Sequence, residues 1–243
     1  MSSSPTMAPA DHPNLTLAVA RLRRMQWIWA VLFAGLGGLS LAAGGLPQPI
    51  VAVTWICIAA ILVAGPQPIY LSLVAVAWGF SLVFLLPGFA SAVGAEPITR
   101  LLGGGPVEVA AMAIVRVVLL VTSWNQFLFY RLLYGTQGAA GLDPSLPPIP
   151  AVVSNPSDRV AVWARLLGFL GVVAAVVAVP LASATLRSNL LGAAFAGSVF
   201  AVGLGLGAAF VPTSRRGMAL TGVVLGCFAL LASLLVARAL GPV

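Results

Sequence analysis

The chain has 243 residues, of which 60% are hydrophobic and only 7% charged, with a mean hydropathy of +1.09. A soluble domain carries about 25% charged residues, so water is excluded as the main solvent and the apolar surface must face lipid. The formal charge of +7 rests on twelve arginines, with no lysine. The missing lysine excludes a retinal Schiff base, and arginines scattered between apolar runs point to membrane topology rather than to nucleic acid.

The fold class this implies is all-α, a polytopic transmembrane helix bundle of about seven spans with no soluble domain. The abundance of Ala, Gly, Pro and Val beside arginine suits a GC-rich bacterial genome. Residues 1–20 are small and polar at first and read as a mobile N-terminal tail, with room for a short helix before the membrane and with the only histidine, His12, within it. Arg21, Arg23 and Arg24 then precede the first span, 26–45, where Trp27 and Trp29 stand as interfacial anchors. The apolar run is long and its positive region late, so a retained helix is expected rather than a signal peptide cleaved near Ser40-Leu41-Ala42.

The second and third spans, 49–65 and 68–87, each open near a PQPI tetrapeptide, at 47–50 and 66–69. Proline suits a helix start, and the two copies read as independent turns, since two tetrapeptides do not make an inverted repeat. The second span is short. A loop with Glu96 and Arg100 follows, and Gly103-Gly104-Gly105-Pro106 leads into the fourth span, 107–130, with Glu108 near its positive end. No lysine or hydroxyl follows the glycines in phosphate-loop register.

Residues 135–159 are rich in Pro, Gly and Ser and read as an extended cytoplasmic loop, with Ser154 or Ser157 as a cap for the next helix. Spans five to seven follow at 160–183, 189–211 and 217–238. With the N-terminus in the cytoplasm, eight arginines fall inside (Arg21, Arg23, Arg24, Arg131, Arg159, Arg165, Arg215, Arg216) and three outside (Arg100, Arg187, Arg238). That imbalance predicts a multi-pass protein of the inner (plasma) membrane with its N-terminus in the cytoplasm.

Arg116 remains, within span four. An arginine at a membrane helix centre costs about 2.5–3.5 kcal/mol on insertion scales, and it does not shed its proton. At 100° per residue, Arg116, Leu120, Ser123, Phe127, Tyr130 and Tyr134 share one stripe of alternating four- and three-residue spacing, the seam of a packed helix. Asn125 points the opposite way. None of the five acids, Asp11, Glu96, Glu108, Asp143 and Asp158, is placed to pair with Arg116. Three roles are open to it: donating to carbonyls and hydroxyls of neighbouring helices, meeting a carboxylate or lipid phosphate from another subunit, or binding a transported anion.

Ser123, Asn125 and Gln126 join Arg116 as intramembrane polar contacts, with helix-to-helix hydrogen bonding expected of Asn125 and Gln126. Tyr130, Arg131 and Tyr134 read as the anchor at the cytoplasmic end. Gly203 and Gly207 in span six, and Gly222 and Gly226 in span seven, have GxxxG spacing, and the two spans are expected to pack as a tight hairpin. Cys57 and Cys227 lie in apolar runs and read as buried free thiols.

No histidine lies in a span and no two acids share one, so the constellations of catalysis are missing. The expectation is a non-catalytic protein with no cofactor and no metal. It would be a subunit or assembly scaffold of a larger membrane complex, with membrane lipids and other membrane subunits as partners and no nucleic acid. The alternative is a permease or carrier component for a small solute, using Arg116 at depth.

Overall fold

A computed structural model describes residues 13–42, 50–85, 106–131, 156–181, 183–211 and 215–240. The regular structure of the described residues is all helical, with no strand among them. In chain order they form α1 (Pro13–Ala42), α2 (Ile50–Ala64), α3 (Ile69–Ser81) continued by a 3₁₀ turn (Leu82–Leu85), α4 (Pro106–Tyr130), α5 (Pro156–Ala178), α6 (Ala184–Phe210) and α7 (Arg216–Leu240).

Five of these, α1, α4, α5, α6 and α7, are long and apolar enough to cross a membrane. The other two, α2 and α3, have 15 and 13 residues, or about 22 and 20 Å at 1.5 Å per residue, against a hydrocarbon core of about 30 Å. Length alone therefore carries five spans, not the seven expected. Helix boundaries elsewhere follow the apolar runs, with departures at α1, α5 and α6, the last beginning at Ala184 rather than at 189. Residues 13–20, expected as tail with a short helix before the membrane, are continuous with α1. α5 stops at Ala178 rather than near 183, because a residue before proline (Pro180) is pushed away from helical geometry.

Large apolar side chains line the outer faces. Val118 on α4, Trp163 and Phe169 on α5, and Phe228 and Leu235 on α7 are each more than 50% exposed. A continuous apolar exterior of this kind is stable only in lipid, and the structure is that of a membrane protein. α6 is the most enclosed of the long helices and α4 the least.

Two groups of helices meet at α6. α5, α6 and α7 pack on one another, while α1 lies on α2 and α3 lies between α4 and α6. Small residues set the approach. A Cβ at Gly168 or Gly222 would run into the facing backbone of α7 or α5, and one at Gly197 into α5. α6 takes an N-cap from Ser183, whose hydroxyl accepts from the Leu186 amide at 3.4 Å.

The same close approaches give the register. Gly37 meets Ala52 and Ile56, Gly203 meets Leu73, Gly171 meets Ala194, and Gly205 meets Ala219 and Val223, all antiparallel pairs, while Gly168 faces Gly222 and Leu225 in a parallel one. Gln26 donates to the Gln67 carbonyl at 2.7 Å, bringing the α2–α3 turn level with the start of α1. Successive helices thus alternate in direction, and Arg21, Arg23, Arg24, Arg131, Arg159, Arg215 and Arg216 gather at one end of the bundle.

Candidate functional site

The polar side chains of α4 and their neighbours form the candidate site. The stripe read from the sequence is the buried face of α4. Ser123, Phe127 and Tyr130 are buried, and Leu120 packs beneath Gly79 of α3. Tyr134 lies outside the described residues.

Arg116 is half-buried and donates through Nη1 to the carbonyl of Ser81. Ser81 is the last residue of α3 as an α-helix, where the ladder narrows into the 3₁₀ turn and a carbonyl has a lone pair to spare. The Leu82 amide reaches back to the Gly79 carbonyl, and the Ser81 hydroxyl donates to the Trp78 carbonyl at 2.7 Å. A guanidinium there also meets the negative end of the α3 dipole. Arg116 thus closes the end of a neighbouring helix through a backbone carbonyl.

Ser123 is satisfied within its own helix, donating to the Leu119 carbonyl at 2.7 Å. Gln126 joins helices: its Oε1 accepts from Trp29 Nε1 at 2.7 Å, and its Nε2 lies 3.8 Å from Met25 Sδ. Asn125 is exposed on the outer face and joins no helix among the described residues.

The aromatic anchors divide. Trp27 is 46% exposed at the arginine-rich end, but Trp29 is only 6% exposed. Two residues apart on a helix point about 200° apart, so only one of this pair faces lipid. Trp29 instead packs against Trp78, with ring centroids 6.4 Å apart, beside Phe33. Tyr130 is buried as well. Arg131 stands over the Phe210 ring at 5.5 Å, beside Trp124 and Phe127.

The glycines serve other neighbours than expected. A Cβ on Gly203 would lie 2.7 Å from Leu73 Cα, and one on Gly207 would meet Ile69 and Ser72, so this GxxxG pair seats α3 on α6. Gly222 faces Ala164 and Arg165 of α5; only Gly226 faces α6, against Ala201 and Val202. Gly205 supplies the other α6–α7 approach. Cys57 and Cys227, expected to be buried, are exposed on outward faces.

Sequence reasoning passed over Ser81, Gln26 and Phe210. Gln26 had a signal, an amide two residues past Arg24 at the edge of an apolar run. It is 1% exposed, and its Oε1 and Trp78 Nε1 have no hydrogen-bond partner among the described residues. Between α1 and α4, at the arginine-rich end, an open groove of about 400 Å³ is lined by Met25, Thr122, Asn125, Gln126, Phe129 and Tyr130. Among the described residues, no group of three His, Cys, Asp or Glu is placed to hold a metal. No family model, curated protein or solved structure matches the chain.

Proposed function

We propose that this chain is a non-catalytic integral protein of the inner (plasma) membrane that serves as a subunit or assembly scaffold of a larger membrane complex. All seven helices would cross the bilayer, with the arginine-rich end in the cytoplasm. The observation that carries the reading is the engagement of Arg116 with the Ser81 carbonyl. The deep cation is committed to the end of α3, so its charge holds two helices together. In a carrier the same guanidinium would have to leave that carbonyl whenever cargo arrived, exposing it to hydrocarbon.

The sparse cover of α4 supports the same reading. α4 packs along one stripe and leaves the rest of its length open, a surface on which helices of other subunits can lie. Transmembrane helices associate by close packing and interhelical hydrogen bonds. The test is purification in a mild detergent followed by mass spectrometry of what comes with the chain. Membrane proteins in fixed ratio are expected. A chain recovered alone and monomeric would end the subunit reading. Solute uptake abolished by Arg116→Ala at unchanged expression would replace it with a carrier.

A further inference from the structure

The groove between α1 and α4 shows a gradient of chemistry along its length. At its outer end Arg21 stands exposed one helical turn before Met25, which lines the groove and meets Gln126, itself one turn before Tyr130. Asn125 lies about 8 Å deeper than Tyr130 along α4, and Thr122 about 12 Å deeper, at 1.5 Å per residue. Both are exposed, and neither has a hydrogen-bond partner among the described residues. Deeper still on the same side of α4 come Val115 and Val118, both exposed. The order is cation, neutral hydrogen-bonding groups, then hydrocarbon.

A phospholipid presents the matching order from its outer end inward: phosphate, glycerol esters, acyl chain. We propose that the groove binds an anionic phospholipid, with its phosphate beside Arg21 and Tyr130, its ester oxygens at Asn125 and Thr122, and an acyl chain along Val118 and Val115. Charge complementarity selects the occupant. The groove opens at the end of the bundle where the arginines gather, and Arg23 and Arg24 are exposed there on α1. Hydrocarbon alone would leave the Asn125 amide without a partner, whereas ester carbonyls accept its N–H groups. The site stands whether or not the chain belongs to a complex.

Native mass spectrometry of the full chain in mild detergent tests this, by titration with phosphatidylglycerol and with phosphatidylcholine of the same acyl chains. General attraction to a basic surface amounts to about fivefold per arginine and is the same for any arginine at that end. A built site instead distinguishes positions. Arg21→Gln should lower phosphatidylglycerol binding about tenfold and phosphatidylcholine binding less, because the choline cation offsets the phosphate charge, while an unchanged tryptophan emission spectrum reports an intact fold. Asn125→Leu removes no charge and should lower binding of both lipids about fivefold. Arg159→Gln, at the same end but on α5, should have a smaller effect than Arg21→Gln. Equal losses for Arg21→Gln and Arg159→Gln would overturn the proposal, as would unchanged binding in Asn125→Leu. So would masses showing a second copy or another protein in place of the lipid.

Discussion

Replacing Arg116 with leucine should move two quantities in opposite directions, the ease of inserting α4 and the tightness with which it packs. Arg116 lies about 15 Å from one end of α4 and about 21 Å from the other at 1.5 Å per residue, well inside the hydrocarbon. At such a position arginine is unfavourable by about 2.5–3.5 kcal/mol and leucine favourable by about 0.3–0.6 kcal/mol, so α4 by itself should insert roughly 3 kcal/mol more readily. In the folded protein the same change removes the bond to the Ser81 carbonyl. A hydrogen bond from a charged donor contributes about 1.5–3 kcal/mol, and a cation at a helix C-terminus about 0.3–1 kcal/mol. Arg116 is only partly buried, which favours the lower end of that range and sets the expected loss of packing stability at roughly 2 kcal/mol. Glycosylation-mapped insertion of α4 reads the first quantity. Unfolding of the whole chain with increasing SDS, followed by tryptophan fluorescence, reads the second. Arg116→Lys should fall between, since its ammonium keeps the charge but lacks the guanidinium fork. An Arg116→Leu protein that unfolds at the same SDS fraction as the parent, or a higher one, would refute the capping role.

Gly203→Ala should destabilise by about 1–3 kcal/mol, because the new Cβ would lie 2.7 Å from Leu73 Cα and push α3 away from α6. Gly35→Ala, with nothing within 4 Å, should instead gain up to about 1 kcal/mol of helix propensity in the same SDS titration. Gln126→Leu leaves the buried Trp29 N–H without its acceptor and should lower stability by about 1 kcal/mol, with a shift in tryptophan emission; an unchanged midpoint and spectrum would mean that this bond contributes nothing. Cys57 and Cys227 lie mid-helix on outward faces, so in vesicles they should react with lipid-soluble maleimides and resist sulfonated ones, and attack by the charged reagent would place them in water. Pro66→Cys, in a background without the native cysteines, should be labelled by an impermeant maleimide from the arginine-rich side. Protection from both sides would mean that the α2–α3 turn stops within the membrane and that five helices cross.

Periodicity alone makes one face of α4 legible. Side chains recurring every three or four residues from Arg116 onward have to share a side, and the polarity of that side requires cover by protein. The sequence also limits the partners of Arg116, since no other expected span carries a central acid. It does not reveal Ser81, because a carbonyl partner leaves no mark in residue type and lies 35 residues away. Trp27 and Trp29 show the same limit. Each is a sound interfacial anchor by composition, and only the position of α3 decides which turns inward. Gly203 and Gly207 have the right spacing for a close helix contact, but spacing does not name the neighbour, and that neighbour is α3 rather than α7. α3 reads as a full span because its apolar run continues past Ser81 to Leu86, whereas α2 fills its run between Pro49 and Gly65 and is short in the sequence as well.

The early end of α3 and the arginine in α4 are two halves of one feature. A helix ending at depth leaves carbonyls with no intrahelical partner, and hydrocarbon offers none. An arginine at depth carries donors with the same difficulty. α3 ends as an α-helix at Ser81, level with Arg116, and the ladder tightens into the 3₁₀ turn at Leu82–Leu85. Within this layer Leu82 returns to Gly79, the Ser81 hydroxyl takes the Trp78 carbonyl, and Arg116 takes the Ser81 carbonyl. Each group, unfavourable in lipid alone, becomes the other's partner. In isolation the fourth span carries a misplaced charge and the third is an ordinary apolar run; only their contact gives the charge its reason.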